Sequence, residues 1–255
     1  MTHIAYRLSR NGGNTWTEAT TLDWPNEGAD PYLAFSPSGR MMLVWLDLGS
    51  DATIKAATLE PGDSERYSDG VTTMAELGLD PVGCVAQGQE VWTLYGVTDE
   101  PRVTEDPRRH GALNGIRVAY SRDGGATFNR RLEVLRSGGL ARVPQIALGR
   151  DGTVHVVYYF GSWENDARGS LRWRWLVPNA DTFGDPVVIA EPLHFNLEWG
   201  SAKWFGDYFG VGISGDCLLV SYADNGESST RVMFERADAN LGWERGSPFF
   251  GQLAI

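Results

Sequence analysis

The chain has 255 residues, with 22 Lys and Arg against 33 Asp and Glu, which gives a formal net charge of −11 at pH 7. All-β domains commonly reach this length undivided, so we expect residues 1–255 to form a single domain. The acidic charge argues against nucleic acid and anionic membrane surfaces as partners, because both repel such a chain at long range.

No segment approaches the roughly 20 consecutive apolar residues that a membrane-spanning helix requires. Residues 1–7 lack the basic start and apolar run of a signal peptide. We therefore expect no membrane partner and a cytoplasmic location for the chain as written, or secretion if it is a trimmed mature form. The two cysteines, Cys84 and Cys217, fall in predicted inner strands and are expected to be buried thiols.

The N-terminal region contains an alternating segment followed by a glycine-rich turn, and a close copy occurs near the middle of the chain. Residues 9–16 are Ser-Arg-Asn-Gly-Gly-Asn-Thr-Trp, and residues 121–128 are Ser-Arg-Asp-Gly-Gly-Ala-Thr-Phe. The Asn or Asp side chain accepts hydrogen bonds from its own turn, and the glycines supply positive φ. Both octapeptides therefore predict tight β-hairpin turns, and the aromatic residue at the end of each is expected to wedge against the neighbouring hairpin. Three weaker copies carry an aromatic residue at the place of Trp16 and Phe128: Tyr67, Phe183 and Trp243.

A second kind of hairpin, more apolar and with glycine-centred turns, lies between these copies. Its four copies cover residues 31–45, 82–95, 144–158 and 208–222. The pattern thus predicts four complete sheets of two hairpins each, preceded by one additional outer hairpin.

The octapeptide pattern Ser-x-Asp-x-Gly-x-Thr-Trp/Phe resembles the Asp box, also called the bacterial neuraminidase repeat, of sialidase-like β-propellers. In that family the box closes the outer hairpin of a blade, on the face away from the ligand pocket. The resemblance implies an all-β fold, a β-propeller of four-stranded antiparallel blades. We expect five blades, with the tail at residues 249–255 adding an inner strand to the hairpin of residues 4–21. The alternative is an incomplete or six-bladed sialidase-like ring, with self-association completing it.

The resemblance directs the search for chemistry to the loops opposite the boxes. Sialidases grip a carboxylate with arginines and use a Tyr nucleophile that a Glu activates, because a Tyr with a pKa near 10 needs an adjacent base. By this analogy Tyr208 is the candidate nucleophile with Glu198, or alternatively Glu164, as its base, and Asp30 or Asp47 is the candidate acid. No Arg-Ile-Pro entry motif is present.

The segment from residue 194 to 210 is dense in aromatic and polar groups, which suits the stacking and hydrogen bonding of sugar rings. The alternative for Asp207 and Tyr208 is a structural role at the start of a strand. Candidate ligand-binding residues in these loops are Arg142, Trp163, Glu164, His194 and Trp204. His155 lies between valines and is expected to be a packed core residue.

Acidic residues recur where the predicted inner hairpins begin and end, and three of them are candidate metal ligands: Asp80, Asp207 and Asp224. A ring of carboxylates at a propeller's centre suits Ca²⁺ or Mg²⁺, and such an ion would activate water for cleavage of esters, lactones or phosphoesters. The alternative is that these residues cap strands and turns.

We therefore expect a sialidase-like propeller that recognises a glycan or another small molecule in a central pocket and acts as a glycoside hydrolase. The alternatives are a metal-dependent hydrolase and a non-catalytic propeller that binds glycan or protein, because fold alone does not decide activity.

Overall fold

The computed structural model describes residues 3–22, 24–35, 39–49, 53–59, 72–75, 78–97, 113–161, 168–194, 198–199, 202–203, 209–224, 231–238 and 251–252. These residues form β-strands, turns and connecting segments, and none of them lies in a helix. Nothing in this part of the chain is therefore a helix long and apolar enough to cross a membrane. The expected all-β class is confirmed.

Nineteen strands are present in the described residues. Nine lie in the first half of the chain: β1 (Ala5–Tyr6), β2 (Thr20–Thr21), β3 (Gly28–Phe35), β4 (Met41–Asp47), β5 (Thr53–Leu59), β6 (Thr72–Ala75), β7 (Gly78–Gln87), β8 (Glu90–Val97) and β9 (Leu113–Ser121). The others are β10 (Arg130–Leu148), β11 (Val154–Gly161), β12 (Arg168–Leu176), β13 (Val187–His194), β14 (Glu198–Trp199), β15 (Ala202–Lys203), β16 (Gly210–Ser214), β17 (Cys217–Asp224), β18 (Arg231–Asp238) and β19 (Gly251–Gln252).

The chain divides into two compact units, and the first comprises residues 1–95 and 118–131. It contains the small sheet β1–β2, the four-stranded antiparallel sheet β3–β4–β5–β6, and the strands β7 and β8. The sheet β3–β6 packs on the N-terminal segment through a buried apolar cluster that includes Ile4, Leu22, Leu43 and Trp45. Every residue of β4 is buried, so this strand is central to the first unit.

The octapeptide at residues 121–128 lies in the first unit and forms the predicted turn. The Ser121 hydroxyl donates to Asp123 Oδ1 over 2.7 Å and accepts from the Gly125 backbone N–H over 2.9 Å. The backbone N–H of Thr127 donates to Asp123 Oδ1 over 2.9 Å, and its hydroxyl donates to Oδ2. One carboxylate thus holds both sides of the turn, as the sequence predicts.

The octapeptide at residues 9–16 forms an equivalent network. Asn11 Oδ1 accepts from the Ser9 hydroxyl over 3.0 Å and from the Thr15 backbone N–H over 2.9 Å, and Gly13 N–H donates to the Ser9 hydroxyl over 2.7 Å. Trp16, however, is 59% exposed, and its indole N–H donates back to the Gly13 carbonyl. The expectation that this aromatic wedges against a neighbouring hairpin is therefore wrong for Trp16 in the first unit.

The second unit comprises residues 96–117 and 132–255. In it the strands β10, β11, β12 and β13 pair antiparallel in that order, as part of a seven-stranded sheet. The strands β16–β17–β18–β19 form a four-stranded antiparallel sheet, and β14 and β15 form a short pair. The two large sheets share one apolar core, in which Tyr159, Leu171, Trp173, Leu218 and Tyr222 are buried together.

The end of the chain differs from its prediction. Gly251 and Gln252 pair with Arg236 and Glu235, so β19 is the edge strand of the sheet β16–β19. The prediction that the tail adds a strand to the N-terminal hairpin is wrong for these two residues. Backbone hydrogen bonding to β18 satisfies them instead, which completes a fourth strand for that sheet.

Candidate functional site

The two large sheets of the second unit have a turn end and an opposite end, which the strand registers define. Leu148 pairs with Val154 beside one hairpin turn, whereas Ala141 pairs with Phe160 at the far end of the same strands. His194, the last residue of β13, pairs with Arg168 at this far end. The degenerate outer turn near Phe183 lies between β12 and β13 and therefore at the turn end. The end of the sheets that carries His194 is thus the one opposite the turns.

His194 and Asp224 come into contact at this opposite end. The backbone N–H of His194 donates to Asp224 Oδ1 over 3.1 Å, and the ring Nδ1 lies 3.5 Å from the same oxygen. The latter distance is that of an ion pair when the imidazole is protonated, and the ring Nδ1 has no hydrogen-bond partner among the described residues. About a fifth of each side chain is exposed, 19% for His194 and 20% for Asp224. The pair is therefore partly exposed, and the backbone hydrogen bond of His194 holds it in place.

Tyr159 fixes the strand that carries Asp224. Its hydroxyl accepts from the Ala223 backbone N–H over 3.2 Å and lies 3.5 Å from the Ala223 carbonyl oxygen, to which it donates. The ring packs edge-on against Phe209, with centroids 5.1 Å apart, and Tyr159 is 1% exposed. Burial raises the pKa of Tyr159 well above its usual range, and the charge of Asp224 acts in the same direction. The phenol therefore stays protonated.

A second buried tyrosine lies on β17. The Tyr222 hydroxyl donates to Glu235 Oε1 over 3.4 Å, and both residues are buried. Burial raises the pKa of Tyr222, and the neighbouring Glu235 and Asp224 charges raise it further. A Tyr–Glu pair of this kind resembles a nucleophile and its base, but the raised pKa and the burial oppose nucleophilic attack on an external substrate. We assign the pair to the core.

Arg142, a predicted ligand-binding residue, lies near the same end of the sheet β10–β13. It is buried, and burial lowers the pKa of its guanidinium to about 10, so the side chain remains a cation at neutral pH. The register of β10 and β11 shifts between Arg142 and Gln145, and Val143 has a φ of 43°. A β-branched residue in the left-handed region is strained, and such bulges recur beside functional sites.

Two other predicted residues, Asp30 and Asp47, lie in the first unit. Asp30 has a φ of 48° at a register shift between Ala29 and Tyr32, which repeats the bulge before a proline seen at Val143. Asp47 is buried at the end of β4, where its carboxylate accepts from Asn26 Nδ2 over 3.2 Å and from the Gly49 backbone N–H over 3.1 Å. These bonds give Asp47 a strand-capping role, and a role as catalytic acid stays a prediction.

The remaining predicted residues are not placed by side-chain contacts. Asp80 lies on β7 and Glu198 on β14, as far as the backbone shows. Outside the described residues lie Trp163, Glu164, Trp204, Asp207 and Tyr208. Among the residues that the structure does describe, no three His, Cys, Asp or Glu side chains come together as metal ligands would. A Ca²⁺ or Mg²⁺ site therefore stays a prediction.

Sequence reasoning placed His194 and Asp224 in different roles, as a ligand-binding residue and a metal ligand, and did not pair them. It also missed Tyr159, which follows Tyr158 in an apolar run where neither residue is marked by a motif. The alternation of β11 shows that the two tyrosines point to opposite faces, but the sequence does not show which one meets the sheet β16–β19.

Known structures resemble the chain at low sequence identity. A protein of unknown function from Dyadobacter fermentans matches with a TM-score of 0.60 and 12% identity, over 99% of this chain and 72% of that one. The leech intramolecular trans-sialidase matches with a TM-score of 0.58 and 12% identity, over 98% of this chain and 55% of the enzyme. A thermostable family-43 glycoside hydrolase matches with a TM-score of 0.52 and 16% identity, over 88% of this chain and 72% of that one.

These similarities establish the fold. The chain is an all-β protein with the fold of the β-propellers, built from four-stranded antiparallel sheets, as the sequence predicted. It spans only about half the length of the leech enzyme, since 55% of that chain is covered. No family model and no curated protein matches the sequence. The number of blades stays a prediction.

Proposed function

We propose that the protein is a carbohydrate-directed propeller whose ligand site includes His194 and Asp224. The observation that carries this proposal is their contact at the end of the sheets opposite the turns, 3.1 Å from backbone nitrogen to carboxylate. Structural neighbours that include a trans-sialidase and a glycoside hydrolase support a carbohydrate as the ligand class. Loops at one face of a rigid scaffold are a usual location of binding residues.

The chemistry of the pair suits a sugar. A carboxylate such as Asp224 accepts hydrogen bonds from hydroxyl groups, and an imidazole such as His194 both donates and accepts. Arg168, exposed and directly opposite His194 in the sheet, adds a positive charge at the same end. This combination recognises hydroxyl groups and tolerates an anionic substituent despite the net charge of −11.

Hydrolysis of a glycosidic bond is the activity that we propose for this site, with Glu198 and Tyr208 as the base and nucleophile. Their order in the chain supports the assignment, because both fall between His194 and the start of β16. A tyrosine next to a carboxylate base is able to attack at neutral pH.

The test is a panel of fluorogenic glycosides that includes a sialoside and an arabinofuranoside, together with equilibrium binding of the corresponding free sugars. We expect His194→Gln and Asp224→Asn to weaken binding of the sugar that the wild type prefers by about ten-fold, as for a lost hydrogen bond to a charged group. Glu198→Gln and Tyr208→Phe should abolish turnover and leave binding nearly intact.

The matched control is Asp185→Asn, which makes the same chemical change on an exposed residue at the turn end of the sheet that carries His194. This variant should bind and turn over as the wild type does. Wild-type protein that binds none of the sugars would overturn the carbohydrate assignment. Binding that survives both His194→Gln and Asp224→Asn would overturn the location of the site.

A further inference from the structure

We propose that Tyr159 is a positioning residue of the His194–Asp224 site, acting through the backbone of Ala223. The effect that we expect on ligand binding rests on the proposed function. The effect that we expect on the position of Asp224 relative to His194 does not. Nothing in the sequence motifs points to this residue.

The connection consists of two contacts between the same two sheets. Tyr159 and His194 belong to the sheet β10–β13, and Ala223 and Asp224 belong to the sheet β16–β19. The Tyr159 hydroxyl is bonded to the backbone of Ala223, and the next residue, Asp224, is bonded to His194. The last two residues of β17 are therefore attached at adjacent positions to one neighbouring sheet.

The Tyr159 hydroxyl is suited to this role because it satisfies both backbone groups of Ala223. It accepts from the N–H over 3.2 Å and donates to the carbonyl oxygen, which lies 3.5 Å away. The donation to the carbonyl oxygen requires a protonated phenol, and burial raises the pKa of Tyr159, so the proton stays on the hydroxyl.

The ring itself has little freedom. Tyr159 is 1% exposed within the shared core and packs edge-on against Phe209, the residue that precedes β16. A hydroxyl on an immobile ring holds its partner at a fixed position, and a displacement of about 1 Å in a site is enough to impair its function. We therefore expect loss of the hydroxyl to loosen Asp224 without collapsing the core.

The variant that tests this is Tyr159→Phe, which removes one oxygen and keeps the ring. The matched control is Tyr158→Phe, the adjacent buried tyrosine, whose hydroxyl has no hydrogen-bond partner among the described residues. The primary readout is the ring signals of His194 in two-dimensional NMR. The chain has only four histidines, so the assignment is tractable by single substitution.

Tyr159→Phe should shift the His194 ring signals in the direction that Asp224→Asn shifts them, and Tyr158→Phe should leave them in place. Incorporation of 3-fluorotyrosine at position 159 keeps the hydroxyl and should restore the wild-type signals. Far-UV circular dichroism and urea unfolding confirm that each variant is folded. Unchanged His194 signals in Tyr159→Phe, with clear shifts in Asp224→Asn, would overturn the positioning role.

The second readout is affinity for the sugar that the glycoside panel selects. Loss of one hydrogen bond predicts binding weakened roughly two- to ten-fold in Tyr159→Phe and unchanged in Tyr158→Phe. If the wild type binds no sugar while the NMR shifts occur as expected, the proposed function fails and the positioning role stands. If sugar binding is present and Tyr159→Phe alters neither readout, only the positioning role fails.

Discussion

The indole N–H of Trp173 donates to Nδ1 of His155 over 3.2 Å, and the two rings are stacked with their centroids 5.7 Å apart. His155 is 1% exposed on β11. Because Nδ1 accepts this bond, the imidazole is neutral and carries its proton on Nε2. Burial lowers the pKa of His155 from 6.5 to about 4, and the charge of Asp151 offsets only part of this effect. The sequence-based expectation of a packed core histidine is confirmed.

This arrangement predicts that the protein loses stability between pH 6.5 and pH 4. In that range the unfolded chain binds a proton at position 155 and the folded chain does not, so the free energy of unfolding falls as the pH falls. This lowering of the pKa corresponds to a loss of about 2 kcal/mol between pH 7 and pH 5. Urea unfolding at a series of pH values measures it.

The variant His155→Gln removes the titrating group and offers a neutral acceptor to Trp173. Its unfolding free energy should vary less with pH over this range than that of the wild type. His3→Gln, on an exposed residue, serves as the control and should keep the wild-type slope. Equal slopes in the wild type and His155→Gln would contradict the assignment.

The two octapeptide turns should respond differently to loss of their central side chain. Asp123 accepts three bonds within its turn, and its carbonyl accepts from Arg40 Nη1 over 2.9 Å. A Cβ on Gly125 would lie 2.7 Å from Met42 Sδ, whereas one on the equivalent Gly13 would come no nearer than 3.9 Å to Trp16 Cζ2. Asp123→Ala should therefore destabilise the protein by about 1 kcal/mol, and Asn11→Ala by less. Urea unfolding at pH 7 compares them, and an equal loss would show that packing around the turn is irrelevant.

The carboxylate of Asp123 also makes the stability of the protein depend on pH in the acidic range. Burial by itself would raise its pKa, but hydrogen bonds from Ser121 and Thr127 outweigh this and lower the pKa. Because the pKa is lower in the folded protein, the ionised carboxylate stabilises the fold at pH values above the ordinary pKa of 3.8. This stabilisation is lost as the pH falls through the pKa of the folded state. Asp123→Asn, which copies Asn11, should match the wild type at pH 7 and lose less stability below pH 4. A parallel loss in both proteins would refute this contribution.

Arg174 is expected to be sensitive even to replacement by lysine. Its guanidinium donates to the carbonyl oxygens of Gly184 over 2.6 Å and Phe183 over 3.2 Å, and to that of Val134. An ammonium group does not reproduce this fork of donors. Arg174→Lys should lower the unfolding free energy by about 1.5–3 kcal/mol, the range for hydrogen bonds to charged groups.

The control for Arg174→Lys is Arg172→Lys on the same strand. Arg172 donates to the Ser170 hydroxyl and stacks on Phe160, with 3.9 Å from Cζ to the ring centroid. Among the residues that the structure describes, it has no set of carbonyl acceptors like that of Arg174. The loss at Arg172 should be smaller. A larger loss there would mean that stacking, and not the carbonyl bonds, is the main contribution.

The fold was accessible from the sequence because its determinants are local. The Ser, Asp or Asn, Gly and Thr positions of each octapeptide bond within a few residues, so the pattern at Ser121 and Asp123 predicts the turn without knowledge of its surroundings. The surroundings were not predictable by the same means. Trp16 and Phe128 occupy equivalent sequence positions, yet only Trp16 is exposed, because exposure depends on which distant strands cover each turn.

The sequence predicted both residues of the candidate site but not the contact between them. Position at a strand end selected both His194 and Asp224, but their contact spans 30 residues of sequence and depends on how two sheets pack. Asp47 satisfied the same positional criterion and instead caps its own strand end through Asn26 and Gly49. Composition and spacing do not distinguish a carboxylate that caps its own strand end from one that bonds to a residue of another sheet.

The two cysteines should differ in reactivity, and this difference tests the core around them. Both are free thiols; Cys84 is buried, and burial raises its pKa to about 12, whereas Cys217 is partly exposed, with Arg236 Nε 3.0 Å from its sulfur. Because the thiolate is the reactive form, a disulfide reagent such as DTNB at pH 8 should modify one thiol per native chain, at Cys217, and both in urea. Cys217→Ser should abolish native labelling, and Cys84→Ser should leave it unchanged. Rapid labelling of two thiols in the native protein, or of Cys217→Ser, would show that Cys84 is accessible and that the strand carrying it is not packed as described.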